Sequence, residues 1–269
     1  MDVSCKYIYF IVAAIGVCMG VLLNYIALHI VYGDKSSNEC GLCSKYGIKL
    51  WFNYIITSQI FNKGECQSVN NHVDTRCIVS TLVCVVGFTS IYDVYGYGLE
   101  TVEFWVYFSC LFLASLVDLA SFIIPNSCVL VAIINRLLYL VGLCFKYPSR
   151  ATKLFNTGIV SLMGVSILII TVSLIMNKVL HKSSIGGGDI KLLAVSALYF
   201  GWQSTLFLII IACVFGVIHG VWYMNRKVDN VSDLPKGVFP WGPSIALASW
   251  IVSLIGEDTL MQYISLLGY

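Results

Sequence analysis

The segment FWVYFSCLFLASLVDLASFII, residues 104–124, decides the fold of this chain. Its only charged residue is Asp118, which stands in an otherwise uncharged and mostly apolar run. At about 1.5 Å per residue, a helix of this length crosses the ~30 Å hydrocarbon core of a bilayer. An Asp inside that core costs about 2.5–3.5 kcal/mol on insertion scales, so it is retained where it works, pairs or lines water. The segment therefore predicts a transmembrane helix and marks Asp118 as a functional residue.

The composition of the whole chain also predicts a membrane protein. Of the 269 residues, 58% are hydrophobic and 11% are charged, whereas soluble domains carry about 25% charged residues. A formal net charge of +2 gives no reason to expect a nucleic-acid partner. The expected surroundings are a lipid bilayer.

Uncharged runs predict an all-α, polytopic integral membrane protein with about eight transmembrane helices. The predicted spans are Tyr7–Tyr32, Ile78–Tyr92, Phe104–Ile124, Asn126–Phe145, Leu154–Met176, Asp189–Trp202, Ser204–Met224 and Phe239–Gly256. Two of them, Ile78–Tyr92 and Asp189–Trp202, are shorter than the ~20 residues that cross a bilayer. The fourth contains Arg136, so the runs support six to eight spans.

The basic residues of the connecting loops predict the orientation of the helices. Lys and Arg fall in the loops 33–77, 177–188 and 225–238, which are therefore expected to be cytoplasmic. The loop 33–77 is the largest of the three. The eight-helix order places three basic residues on the opposite side, namely Lys146, Arg150 and Lys153. Either this loop is an exception to the charge rule, or the fourth span is re-entrant and the number of spans is different. In both versions Asp118 and Asp189 lie at the cytoplasmic ends of their helices.

A second acid, Asp189, stands between two apolar segments in the sequence Ile185-Gly186-Gly187-Gly188-Asp189-Ile190-Lys191. Most other acids lie in predicted loops or tails, and Glu103 opens its helix, where an acid is a favourable cap. Two Asp carboxyl groups held close together share one proton, because both cannot ionise cheaply. The ionised member can take a proton from water while the protonated member polarises a peptide carbonyl. The pair predicts peptide hydrolysis without a covalent intermediate.

The residues next to the two acids suit a bound peptide. Gly186, Gly187 and Gly188 allow a peptide backbone to approach closely, since they carry no side chains. Pro125 with Asn126 breaks the helix after Asp118 and can open its inner end to water. Lys191 is read either as a site residue or as an interfacial cation.

The cysteines of the large loop predict a possible metal site. Cys40 and Cys43 form a C-x-x-C, and Cys66 follows in the same loop. In a reducing cytoplasm this pattern more often binds zinc than forms a disulfide. His72 or Cys77 would supply the fourth ligand.

Taken in order, these motifs resemble those of the type IV prepilin peptidases. The matching stretches are Gly20-x-x-Leu23-Asn24, Asp118 with Ile124-Pro125-Asn126, Gly186-x-Gly188-Asp189-x-Lys191 and Phe239-Pro240-Trp241-Gly242-Pro243. The resemblance implies an aspartic endopeptidase of the bacterial inner membrane. It would remove the basic leader from type IV prepilins or type II secretion pseudopilins at the cytoplasmic face. The peptidase itself would need no cofactor, with Asp118 and Asp189 catalytic.

Many members of that family also methylate the new N-terminus from S-adenosylmethionine, an activity of the first helix and first loop. This chain departs from the family there. His29 replaces an Arg, Phe52 replaces an Asp before Asn53, Cys66 alone remains of the second C-x-x-C, and Ser80 or Thr81 stands where a Glu is expected. We therefore expect residues 1–77 to be a degenerate methyltransferase-like region that uses S-adenosylmethionine poorly or not at all, and residues 78–269 to be the peptidase core.

Two other functions account for buried carboxylates. A presenilin-type GxGD protease pairs Tyr-Asp with Gly-x-Gly-Asp, but here Val117 precedes the first Asp and no Pro-Ala-Leu occurs. A proton-coupled transporter should show repeated halves or matching interrupted helices, and the sequence shows no internal repeat. The glycine-flanked Asp189 favours hydrolysis over transport.

Overall fold

A computed structural model describes residues 3–32, 72–180, 185–225 and 239–255. Within these ranges every regular element is an α-helix. The helices are α1 Val3–Tyr32, α2 His72–Tyr95, α3 Leu99–Ser121, α4 Asn126–Lys146, α5 Pro148–Leu180, α6 Gly187–Asn225 and α7 Gly242–Ile255. The predicted all-α, polytopic fold is confirmed, since α1 to α6 each contain a stretch long and apolar enough to cross a membrane.

The chain divides into two compact units, Met1–Ser90 and Ile91–Tyr269. In the first unit α1 packs closely against α2 through two glycines. A Cβ on Gly16 would lie 2.8 Å from the Cα of Val85, and one on Gly20 would lie 2.7 Å from the Cα of Thr81. Small residues of this kind let helix backbones approach in a bilayer, where van der Waals packing drives helix association.

In the second unit α4 returns to the end of the bundle from which α3 starts. Glu100 lies in the first turn of α3, and its Oε1 accepts hydrogen bonds from Tyr139 and from Arg150, each at 3.0 Å. Tyr139 lies in the second half of α4, and Arg150 lies in the first turn of α5. A helix that runs from the far end of α3 back to Glu100 crosses the bundle fully. The structure therefore supports a full span for α4, and Arg150 pairs with Glu100 at an end where the charge rule did not expect a basic residue.

The helix α6 contains a reversal of the chain. Gly188, near the start of α6, lies against Ile124, and Gly216, in its last third, lies against Trp241. Both Ile124 and Trp241 are near the C-terminal end of α3, because Ile124 follows that helix and Gly242, next to Trp241, bonds to Asp118. An unbroken helix would separate Gly188 from Gly216 by about 42 Å. The break is at Gly201, with φ 73° and ψ −178°, a backbone conformation open essentially to glycine alone. The two segments of α6, residues 187–200 and 202–225, correspond to the sixth and seventh predicted spans.

With that break, the described residues contain eight helical segments, in the order expected from the eight apolar runs. The eighth, α7, is a shorter apolar helix. The assignment of separate functions to residues 1–77 and 78–269 stays a prediction.

Candidate active site

The first carboxylate of the site lies in the last turn of α3. The helix stops because Phe122 adopts a left-handed conformation, φ 57° and ψ 26°, and donates its N–H to the Asp118 carbonyl at 2.9 Å. Pro125 then sets an extended link at φ −64° and ψ 130°, and α4 begins at Asn126. Proline has no N–H and a fixed φ, so it suits the start of a helix and not its interior. The sequence therefore places Asp118 at the end of a rigid helix, beside a tight turn.

The carboxylate of Asp118 is held by the backbone of α7. Asp118 is buried, at 5% exposure, and its Oδ2 accepts a hydrogen bond from the N–H of Gly242 at 2.8 Å. Gly242 is the first residue of α7. The N–H groups at a helix N-terminus have no intrahelical acceptor and carry partial positive charge, so they stabilise an anion placed there.

The second carboxylate lies in the first turn of α6. Asp189 is half-buried and its Oδ2 lies 3.0 Å from the point that a Cβ on Gly186 would occupy. The N–H of Ile190 donates to the Gly186 carbonyl at 3.3 Å, which closes the turn around this carboxylate. Asp189 and Asp118 are close enough for their charges to interact. The structure thus brings the two predicted acids together at one end of the second unit.

The glycines before Asp189 differ in what surrounds them. A Cβ on Gly188 would lie 3.0 Å from the Cβ of Ile124, so this glycine lets α6 approach the turn that follows α3. A Cβ on Gly187 would meet no atom within 4 Å, and Gly186 and Gly187 are both exposed. Gly188 therefore has a packing reason within the chain, whereas Gly187 faces open space.

Two more of the predicted residues meet at the rim of the site. The Nζ of Lys191 donates to the Oδ1 of Asn126 at 2.9 Å, and both side chains are exposed. Asn126 starts α4 and Lys191 lies in the first turns of α6. The contact links the start of α4, which follows Asp118 in the chain, to the first turns of α6, which carry Asp189.

Two residues near Asp118 were not predicted as site residues. Gly242 belongs to a motif singled out in the sequence, but nothing in the pattern indicated that its N–H meets a carboxylate. His219 is close enough to Asp118 for an electrostatic interaction, and its ring stands edge-on to Phe239 at 6.4 Å between centroids. A lone His on an apolar helix gives no sequence signal of such a neighbour.

The predicted metal ligands cannot be placed. Cys40, Cys43 and Cys66 lie outside the described residues, as does the side chain of His72. Among the side chains that the structure does describe, no group of three or more His, Cys, Asp or Glu converges. The zinc site stays a prediction.

Comparison with known proteins identifies the family that the chain resembles. Residues 105–221 match the sequence profile described as the Type IV leader peptidase family. The chain is 24% identical to a prepilin leader peptidase/N-methyltransferase of Pseudomonas putida over 233 residues, which is 87% of this chain and 77% of the relative. It is 25% identical to the protein of the same description in Bacillus subtilis over 211 residues, 78% of this chain and 79% of the relative.

A shorter stretch is more similar to a third relative. The prepilin leader peptidase/N-methyltransferase of Pseudomonas aeruginosa is 35% identical over 88 residues, 33% of this chain and 29% of that protein. No solved structure matches the chain. The resemblance inferred from the four motifs is confirmed, and the chain is a multi-pass membrane protein similar in sequence to prepilin leader peptidases.

Proposed function

We propose that this chain is an aspartic endopeptidase that removes leader peptides from type IV prepilins or pseudopilins. The observation that carries the proposal is that the start of α6, with Asp189, lies against the turn that follows Asp118: a Cβ on Gly188 would lie 3.0 Å from the Ile124 Cβ, and Lys191 bonds to Asn126. The family resemblance supplies the class of substrate. Both carboxyl groups come from ends of membrane-spanning helices, so the peptide bond must reach them at the membrane surface.

The pair hydrolyses the bond without a covalent intermediate. The ionised carboxylate takes one proton from a water molecule as the water oxygen attacks the scissile carbonyl carbon, and the protonated carboxyl group donates to the carbonyl oxygen. Collapse of the tetrahedral intermediate breaks the C–N bond, and the leaving nitrogen receives a proton from the pair. The N–H of Gly242 fixes the orientation of Asp118 throughout, so little reorganisation is needed during the step.

The peptide backbone approaches along the exposed Gly186 and Gly187. No atom lies within 4 Å of a Cβ built on Gly187, which leaves room for an extended chain beside Asp189. Lys191 and Asn126 border the same approach. We place this side of the bundle at the cytoplasmic face of the bacterial inner membrane, because the neighbouring loops carry the basic residues.

Asn variants of the two acids test the proposal. Asp118→Asn and Asp189→Asn keep the size of each side chain and remove its ability to titrate, so leader removal should fall about 10²–10⁴-fold in each. The assay is co-expression with a prepilin followed by separation of precursor and mature forms on a gel. Asp93→Asn is the matched control, because Asp93 is an exposed acid near the opposite end of the bundle. Normal processing by either site variant at wild-type abundance would refute the dyad.

A further inference from the structure

A second charged pair lies inside the bundle, away from the proposed active site. The Nη1 of Arg136 donates to the Oε1 of Glu103 at 2.7 Å, and both side chains are buried. Glu103 lies on α3, about four helical turns before Asp118. Charges in membrane-spanning helices are costly and are found where they pair or serve a function. This pair therefore requires an explanation that the active site does not supply.

Arg136 also contacts the backbone of α6 close to its break. Its Nη2 donates to the carbonyl of Tyr199 at 3.2 Å, two residues before Gly201. The guanidinium lies 5.2 Å from the ring centroid of Tyr199 and 5.6 Å from that of Tyr139. The carbonyls at the end of a helical segment form its negative pole, where a cation is favourable. Arg136 thus stabilises the end of the first segment of α6.

Neighbouring polar groups join the same helices. The Nδ2 of Asn135 donates to the Glu103 carbonyl at 3.0 Å and to the Tyr199 hydroxyl at 2.9 Å. The Tyr107 hydroxyl donates to Ser196 Oγ at 2.8 Å, and the rings of Tyr107 and Tyr199 stack at 4.0 Å between centroids. These contacts connect α3, α4 and residues 187–200 of α6 along one side.

The helices joined in this way are those that carry the two acids. Glu103 and Asp118 share α3, and Tyr199 and Asp189 share the first segment of α6. Because an α-helix is stiff over a few turns, fixing one end of each helix restricts the separation of the carboxyl groups at the other end. A misplacement of about 1 Å can reduce a rate about 10²-fold.

We propose that Arg136 and Glu103 are positioning residues, which set the distance between Asp118 and Asp189 by joining α3 to the break in α6. The proposal rests on the proposed peptidase function. A pair that only stabilised the fold would change the amount of folded enzyme. A positioning pair also changes the rate at which each folded enzyme molecule cleaves its substrate.

The decisive variant removes both charges together. Glu103→Leu combined with Arg136→Met replaces the pair by apolar side chains of similar volume, an exchange that is often neutral for stability. The tie to the Tyr199 carbonyl is lost. We expect kcat for cleavage of a peptide spanning a prepilin leader junction to fall at least about tenfold, with KM within about twofold, as for lost transition-state geometry.

A conservative variant gives an independent measurement. Arg136→Lys keeps the charge but lacks the planar fork that reaches Glu103 and the Tyr199 carbonyl at once, so its kcat should fall to an intermediate value. Arg150→Met is the matched control, because it removes an exposed Arg–carboxylate contact to Glu100 and should leave kcat unchanged. Thermal unfolding of each purified variant reports stability separately.

The outcomes separate this proposal from the one on which it depends. If the wild-type chain cleaves no leader junction, the proposed function fails. If the wild type cleaves and the double variant retains its kcat, the positioning role is wrong, whatever its melting temperature. Where the double variant does not accumulate in membranes, Arg136→Lys decides, and an unchanged kcat in that variant overturns the proposal.

Discussion

At the scale of single residues, the proposed site depends on a backbone N–H that meets a carboxylate. Asp118 and Gly242 are far apart in the sequence, yet the Gly242 N–H lies 2.8 Å from Asp118 Oδ2. A Cβ on Gly242 would lie 2.7 Å from that oxygen and 3.2 Å from the Asp118 Cβ. The absence of a side chain therefore allows the start of α7 to approach the end of α3.

Substitution of Gly242 should separate these two groups. We expect Gly242→Ala to reduce kcat for leader removal at least about tenfold, since the new methyl group must push Asp118 out of its place. The matched control is Gly142→Ala, where a Cβ would meet only Leu99 Cδ1 at 3.9 Å. Peptidase assays on equal amounts of purified protein measure both. Equal activity of the two variants would show that Asp118 does not need this contact.

A second pair of glycine variants distinguishes packing from peptide approach. Gly188→Ala places a methyl group 3.0 Å from the Ile124 Cβ, so we expect a loss of stability of about 1–3 kcal/mol through overpacking. Gly187→Ala meets nothing within 4 Å, so its unfolding should match the wild type while KM for the leader peptide rises. Denaturation curves and steady-state kinetics separate the two effects. A Gly187→Ala enzyme with wild-type KM would mean that the peptide does not pass over this glycine.

The sequence indicated the two acids, but not their surroundings. Asp118 and Asp189 could be predicted because a carboxylate inside an apolar run, or between two of them, is costly in a membrane. Gly242 and His219 could not, because their proximity to Asp118 depends on where α6 and α7 pack. The position of Glu103 near the start of its helix predicts a helix cap, and the sequence does not pair it with Arg136. The structure shows that Glu103 is buried against Arg136.

At the scale of helices, apolar runs predicted the number and order of the elements well. The sequence predicts two spans within residues 187–225, the first of which is shorter than the ~20 residues that cross a bilayer. Only the positive φ of Gly201 and the contacts of Gly188 and Gly216 show that the chain reverses. Pro125 predicts that α3 ends before it. The residue at which the helix stops is Phe122, whose left-handed conformation has no sequence signal.

The orientation of the helices can be tested with two single cysteines. In a background that lacks the native cysteines, Tyr97→Cys lies in the link between α2 and α3, where Tyr97 is 97% exposed, on the side predicted to face outward. Ser127→Cys lies at the opposite end, on the exposed start of α4. An impermeant thiol reagent applied to intact cells should label the first and spare the second. The reverse pattern would place the proposed active site outside the cytoplasm.

At the scale of the whole molecule, the sequence predicts that peptide cleavage and methylation belong to different parts of the chain. The motifs of the peptidase lie from Asp118 onward, and the departures from the family lie between Leu23 and Thr81. Where the structure describes that region, Thr81 is buried and donates its hydroxyl to the Cys77 carbonyl at 2.8 Å. A Glu expected near this position in the family is thus replaced by a residue bonded within its own helix.

We therefore expect this chain to cleave prepilins and to methylate them poorly or not at all. The curated relatives from Pseudomonas putida and Bacillus subtilis carry both activities in their descriptions, so either protein serves as the positive control in the same host. Each enzyme is expressed as the only prepilin peptidase of the cell, and mass spectrometry of the mature pilin measures the N-terminal residue. A methyl group adds a fixed mass to that residue, which should be present with the relative and missing with this chain. Nearly complete methylation by this chain would show that His29, Phe52 and the replaced Glu are not needed for methyl transfer, and that the first 77 residues retain the second activity.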